Sequence, residues 1–385
     1  MNRKAVIIMK TAIVLSGGGA KGSYQLGVWK ALRELHVKYD IVTGTSIGAL
    51  NGVLMCEKSY YKAKRIWHKI NLKYLFNERP KSNKDIDILR LFGGNFLKNG
   101  GMDIKNLERI IKNVVNKRKF YNSKIDFGLI TYNFTTKKPI ILSKDKIPSD
   151  KLTDYLMASA TCFPAFKMKE IDGDKYIDGG YYDNLPIELA IKLGAEFLII
   201  VDLCAPGFKK KVNKQINSII IKPKNNISFF LNFDEKTAKT NAKFGYNDTL
   251  KAFKKLDGNK FTFRKNSISK YYLSHEDILL DNTEKKFLTT IENLGKIFRL
   301  DESKIYSFHS YIKALNKKIE VENTLDKKTI KHIKNLTSKI NSRTLILFFL
   351  SNLENGKKKE KLSKIFSKEY KLARYLQILG VEYGK

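Results

Sequence analysis

Gly44-Thr45-Ser46-Ile47-Gly48 sets a serine between two glycines, directly after the β-branched run Tyr39–Thr43 and directly before the small, apolar segment Ile47–Glu57. A strand that turns sharply into a helix at a serine projects the hydroxyl out of the sheet. It also places that hydroxyl at a helix N-terminus, where developing negative charge is favoured. The glycines answer a steric need, because a Cβ two residues to either side of such a turn meets neighbouring backbone. The chemistry this suits is nucleophilic attack on a carbonyl carbon. The pentapeptide alone is common; its position between strand and helix gives it weight.

Gly17-Gly18-Gly19-Ala20-Lys21-Gly22 follows another apolar strand, Thr11–Ser16, and opens a helix, Ser23–Leu35. Consecutive glycines let backbone N–H groups converge on one point, which suits a phosphate or an oxyanion. A phosphate-binding Walker loop needs G-x-x-x-x-G-K-[ST], and here the lysine precedes Gly22 and serine follows it, so that match fails. Gly17, Gly19 and Gly22 satisfy G-x-G-x-x-G formally, but no acidic residue ends a second strand about 20 residues on; Asp40 precedes its strand. An oxyanion hole supplied to a serine one helix and one strand away fits better. The third candidate is Asp178-Gly179-Gly180, after the short strand Lys175–Ile177. It reads either as an ordinary Asp-Gly turn or as a carboxylate pointed into a cleft.

Together these segments resemble the patatin-like phospholipase family. Gly17–Gly22 is similar to the family's glycine-rich oxyanion loop, with Lys21 as its basic residue. Gly44–Gly48 matches the nucleophile elbow, and Asp178–Gly180, continued by Tyr181-Tyr182-Asp183-Asn184-Leu185-Pro186, matches the aspartate motif. Ala158–Phe166 looks like the segment between serine and aspartate. The resemblance covers about residues 10–225 and says nothing of the last third. It implies Ser46 as nucleophile and Asp178 as sole general base, a dyad without histidine, with Gly17, Gly18 and Gly19 as the oxyanion hole. Lys21, Gly22, Gly44, Gly48, Gly179 and Gly180 would support them. The implied substrate is a phospholipid or another acyl-ester lipid, with no cofactor and no metal.

The histidines allow an independent check. There are five, and only His275, His309 and His332 follow Asp178, the order an α/β-hydrolase triad requires. All three fall in the helical C-terminal region, in contexts unlike a catalytic loop. Asp172, Asp174 and Asp183 lack the spacing of a calcium loop. An acyltransferase or a thioesterase would use the same serine. A non-catalytic basic scaffold that binds membrane or nucleic acid is the reading outside catalysis. Intact motifs, and the lack of basic clusters interleaved with aromatics, speak against it, so no nucleic-acid partner is expected.

The elements that must position these residues alternate between strand and helix up to about Lys222. Ile125–Tyr132, Pro139–Leu142, Glu196–Leu203 and Ser218–Ile221 are further strands. EFLIIVDL is apolar throughout, as befits a strand covered on both faces. The expectation is an α/β fold with a mostly parallel central sheet sandwiched by helices, over residues 1–260. Residues 261–385 read as an all-helical, Lys-rich region of unassigned role, with helices over Thr283–Phe298, Lys304–Ile319, Lys327–Ser342 and Lys358–Gly380. Leu345–Leu353 (LILFFLSNL) is a lid, a membrane-docking face or a buried helix, the last being the plainer reading.

The chain of 385 residues carries a net charge of +35. The excess is spread along it, as lysine at solvated positions would leave it, and it also favours peripheral contact with anionic membrane surfaces. Cys56, Cys162 and Cys204 are too few and too scattered for a disulfide framework or metal site. The start, MNRKAVIIMK, imitates a secretory signal, but Lys10 interrupts the apolar stretch and cleavage near Gly19 would remove the glycine loop. No apolar run approaches the ~20 residues needed to span a bilayer. A cytoplasmic protein, peripheral at membranes, is expected.

Overall fold

Strand β1 (Thr11–Leu15, TAIVL) is buried along almost its whole length because it runs through the middle of a sheet covered on both sides. In the computed structural model, which describes residues 9–76, 78–82, 84–211, 215–321, 333, 340–356 and 360–381, β1 lies parallel to β2 (Ile41–Thr45) and β7 (Phe197–Val201). The chain divides into two compact units, Met1–Ala252 and Phe253–Lys385.

In the first unit an eight-stranded sheet runs in the order β5-β6-β3-β2-β1-β7-β8, and β4 pairs on β3. β3 (Asp126–Asn133), β2, β1, β7 and β8 (Asn217–Ile221) are mutually parallel. β4 (Lys138–Ser143), β5 (Lys169–Ile171) and β6 (Asp174–Asp178) are added antiparallel. Alternation along the strands feeds the two faces. Ala12, Val14, Ile41, Leu198 and Ile200 pack with Ala190 of helix α9 (Ile187–Lys192). On the opposite face Val42, Phe127 and Leu15 close on Gly52 of α2 (Ile47–Cys56), whose missing side chain lets that helix lie near the sheet. Helix α1 (Ser23–Glu34) matches its expected span to within one residue.

Between β2 and β3 lies a helical insertion with no counterpart in the sequence reading. It comprises α3 (Tyr60–Trp67), α4 (Leu72–Phe76), α5 (Asp85–Asn99), α6 (Lys105–Val114) and α7 (Lys117–Tyr121). Helix α8 (Leu152–Ala160) precedes β5, and α10 (Glu235–Ala252) closes the unit.

The second unit is mainly helical, with helices over Ser267–His275, Glu284–Ile297, Phe308–Val321, Ser342–Glu354, Glu360–Ile365 and Ser367–Ile378. It also holds a three-stranded sheet, β11-β10-β9 (Ile305–Tyr306, Thr262–Arg264 and Leu256–Asp257), which the all-helical expectation lacked. Strands of two or three residues are too short to show alternation. The same pairing delays the helix expected from Lys304 until Phe308. The helix expected over 358–380 is two helices broken at Phe366, and most of the one expected over 327–342 lies outside the described residues. Leu345–Leu350 are buried in this unit's core, which decides between the alternatives for LILFFL in favour of packing. Among the described residues no helix is long and apolar enough to cross a membrane.

Candidate active site

β2 ends at Thr45 and α2 begins at Ile47, so Ser46 makes the turn alone, at φ 56° and ψ −128°. A non-glycine residue held there stores about 1–3 kcal/mol of strain, so the surroundings must impose it. They do so from three sides. The Ser46 N–H donates to Ser159 Oγ at 2.9 Å, and the Ser159 hydroxyl donates to the Ile130 carbonyl at 2.7 Å. The Ser46 carbonyl accepts from Ala49 N–H at 2.9 Å. A Cβ on Gly44 would stand 2.4 Å from the Gly48 backbone, and one on Gly48 would stand 2.4 Å from the Leu15 carbonyl. Both glycines therefore let the turn close.

Asp178 is the last residue of β6, brought beside Ser46 by the strand with which β2 and β6 both pair. In β3, Ile130 pairs with Thr45, and the next residue, Thr131, pairs with Asp178. Because β4 occupies the other edge of β3, β2 and β6 meet end to end along one edge, and the serine and the aspartate leave the sheet where they meet. Gly179 follows because a Cβ there would lie 2.1 Å from the Ile130 carbonyl. The Asp178 carboxylate accepts a hydrogen bond from Gly180 N–H at 2.7 Å, and it lines the same cavity as Ser46, whose hydroxyl favours the ionised form. Burial raises its pKa from 3.8 to about 6, while those two groups pull the other way.

The glycine loop reaches the same place from β1. Gly17 N–H donates to the Asn184 carbonyl at 3.1 Å, and Ala20 N–H to the Phe230 carbonyl at 2.7 Å. A Cβ on Gly17 would sit 2.2 Å from Asn184 Oδ1 and 3.0 Å from Ser46 Cβ, so the loop passes directly over the serine. Among the described residues the N–H groups of Gly18 and Gly19 have no acceptor, and both residues line a cavity with Ser46 and Asp178. Of the three glycines expected to offer N–H groups, Gly17 spends its own on Asn184. Gly22 packs on Ile47, where a Cβ would come within 2.3 Å of the isoleucine side chain. Lys21 is half-buried, which lowers its pKa against the opposing pull of Cys204 and Asp202, and it does not line the cavity.

Two further residues hold these segments together, and nothing in the sequence marked them beyond their place in matching strings. One is Ser159, on α8. The other is Asn184, buried, whose N–H donates to the Phe208 carbonyl at 2.5 Å and whose Nδ2 donates to the Pro206 carbonyl at 3.2 Å. Asn184 thereby joins the glycine loop, the Asp-Gly-Gly turn and residues 206–208. Buried amides complete the frame: Gln25 Nε2 donates to the Ser16 carbonyl (2.8 Å), and Asn51 Nδ2 donates to Gln25 Oε1 (2.8 Å) and to the Gly22 carbonyl (3.0 Å).

The cavity holds about 350 Å³, at the small end of the range for ligand sites. Beyond the serine its walls are apolar: Leu50 and Leu54 of α2, Trp67 of α3, Phe76 of α4, Ile111 of α6 and Phe166. A third of this lining, from Ala63 to Val115, comes from the insertion after β2. Such a space accepts a hydrocarbon chain whose ester carbonyl lies at Ser46. No histidine lines it among the described residues. His275 stacks on Tyr271 within its own helix, His309 belongs to the helix Phe308–Val321, and His332 lies outside the described residues.

Comparison with known proteins finds matches to the part of the chain that carries this site. Residues 13–191 match the family model Patatin-like phospholipase. It is 30% identical over 203 residues to Patatin-like phospholipase domain-containing protein 7 of Mus musculus, a match spanning 50% of this chain and 13% of that protein. It is 26% identical over 200 residues to Lysophospholipase NTE1 of Mycosarcoma maydis, covering 51% of this chain and 10% of the other. The matched part is thus a small fraction of those longer proteins. Among solved structures it is similar to VipD from Legionella pneumophila, at 16% identity and a TM-score of 0.41, covering 97% of this chain and 87% of that one.

Proposed function

We propose that this patatin-like phospholipase domain hydrolyses the carboxylic ester of a lipid acyl chain, phospholipid or lysophospholipid, through an acyl-Ser46 intermediate. The observation that carries the reading is that Ser46, on its strained turn, and a buried Asp178 carboxylate stand together at the wall of an apolar cavity. As Oγ attacks the ester carbonyl, Asp178 accepts its proton. The tetrahedral oxyanion takes hydrogen bonds from Gly18 and Gly19 N–H, each such donor being worth about 10²–10³ in rate. Collapse releases the alcohol, which leaves with the proton from Asp178. Water then attacks the acyl-enzyme with Asp178 again as base, freeing the fatty acid.

A carboxylate of ordinary acidity is a weak base toward a hydroxyl. Burial answers that weakness, because raising the proton affinity of Asp178 brings it nearer to working pH. Lysophospholipase NTE1 among the relatives supports the substrate class.

The test is direct. Ser46→Ala and Asp178→Asn should each abolish fatty-acid release from a phospholipid and lysophospholipid panel with circular dichroism unchanged. A fluorophosphonate probe should label the parent and not Ser46→Ala. Undiminished hydrolysis by Ser46→Ala would end the proposal.

A further inference from the structure

Helix α5 is apolar on two sides. Inward, the Phe92 ring meets Phe76 at 6.3 Å and Phe166 at 5.7 Å, both of which line the cavity. Outward, Ile86, Leu89, Phe96 and Leu97 recur at helical spacing and are 52%, 47%, 38% and 85% exposed. A helix lying on a globular domain buries one stripe and turns polar side chains to water. On α5 the outer stripe stays apolar.

That stripe reaches residues that adjoin the cavity wall. Phe96 meets Phe163 at 5.8 Å, and Phe134 meets Phe163 at 6.3 Å. Tyr181, which lines the cavity, donates its hydroxyl to the Phe163 carbonyl. Phe208 lines the cavity too and is 69% exposed. Cations border the patch: exposed Lys98 follows Leu97, and Lys137 Nζ lies 4.7 Å over the Phe134 ring.

We propose that this face docks the protein on an anionic lipid bilayer, with the outer stripe of α5 in the headgroup–acyl boundary and the cavity mouth opening onto the membrane. The proposal rests on the acyl-hydrolase reading for what the cavity holds. Charge complementarity selects the occupant, since lysines edge the patch on a chain of net charge +35. A protein covering the same face would seal the cavity from its substrate, whereas a bilayer delivers the substrate there.

The experiment uses the full chain with Ser46→Ala, so that vesicles stay intact during flotation. Vesicles of phosphatidylcholine alone are compared with vesicles of phosphatidylcholine mixed with phosphatidylserine. The parent should float with the mixed vesicles. Replacing Ile86, Leu89 and Leu97 together by serine, all on the solvent side of α5, should weaken that binding at least about tenfold. Lys98→Glu with Lys137→Glu should remove the preference for phosphatidylserine. In the active chain the triple replacement should slow hydrolysis of vesicular lipid while leaving a soluble short-chain ester unaffected. Equal flotation of parent and triple variant overturns the proposal, as does a parent that dimerises in light scattering through this stripe and loses the dimer on replacement. Hydrolysis of the soluble ester reports on the catalytic reading separately, so failure of one is distinguishable from failure of the other.

Discussion

The backbone N–H of Ser46 donates to Ser159 Oγ at 2.9 Å, and that hydroxyl passes a hydrogen bond on to the Ile130 carbonyl at 2.7 Å. A fully buried serine on α8 therefore holds the strained turn of the nucleophile to the strand along which β2 and β6 meet. Ser159→Ala should leave two buried backbone groups unpaired, at a cost of about 1–3 kcal/mol in urea unfolding. On a soluble ester, kcat should fall severalfold while KM changes little, because Oγ is displaced and the cavity is not. An unaltered kcat would show that the turn holds its shape without this bond.

Asp178 sets a pH dependence in two observables. With the carboxyl shifted from 3.8 to about 6, activity should rise with pH through about 6, as the base loses its proton. Stability runs the other way. A folded-state pKa above the unfolded value means the folded protein holds the proton more tightly, so the associated stabilisation is complete below about 3.8 and lost as pH rises through about 6. Above that, the ionised buried carboxylate costs on the order of 3 kcal/mol. Asp178→Asn should consequently abolish activity yet raise Tm at pH 8, with the gain vanishing in acid. A variant less stable than the parent at pH 8 would contradict this account.

Glycines divide into two kinds that substitution separates. Gly48→Ala would push a Cβ to 2.4 Å from the Leu15 carbonyl and should cost both activity and stability. Gly93 lies inside α5 with nothing within 4 Å of the added atom, so Gly93→Ala should raise stability by up to about 1 kcal/mol and leave ester hydrolysis alone. Thermal unfolding of the two variants side by side checks the contrast.

The acyl wall should govern chain length. Val114, at the end of α6, lines the cavity. Val114→Trp should lower kcat/KM for long-chain esters at least about tenfold and for acetyl esters hardly at all. Equal losses for both would place the acyl chain elsewhere.

What the sequence alone determined about this protein is whatever is enforced within a few residues. The strand before each motif, the helix after it and the glycines flanking Ser46 follow from steric demands that a short window shows, and α1, α2, β1 and β7 lie within two residues of their expected bounds. The resemblance of the glycine loop, elbow and Asp-Gly-Gly turn to one family was legible for the same reason. Tertiary structure alone decided how these segments serve one another. The pairing of Thr45 and Asp178 on neighbouring residues of β3, the commitment of Gly17 N–H to Asn184, the bond from Ser46 to Ser159 and the raised pKa of Asp178 all join residues distant in the chain. So does the cavity, one wall of which comes from an insertion that carried no motif. A hydrogen bond or a buried charge leaves no periodicity behind in the letters, because its partner is chosen by the fold.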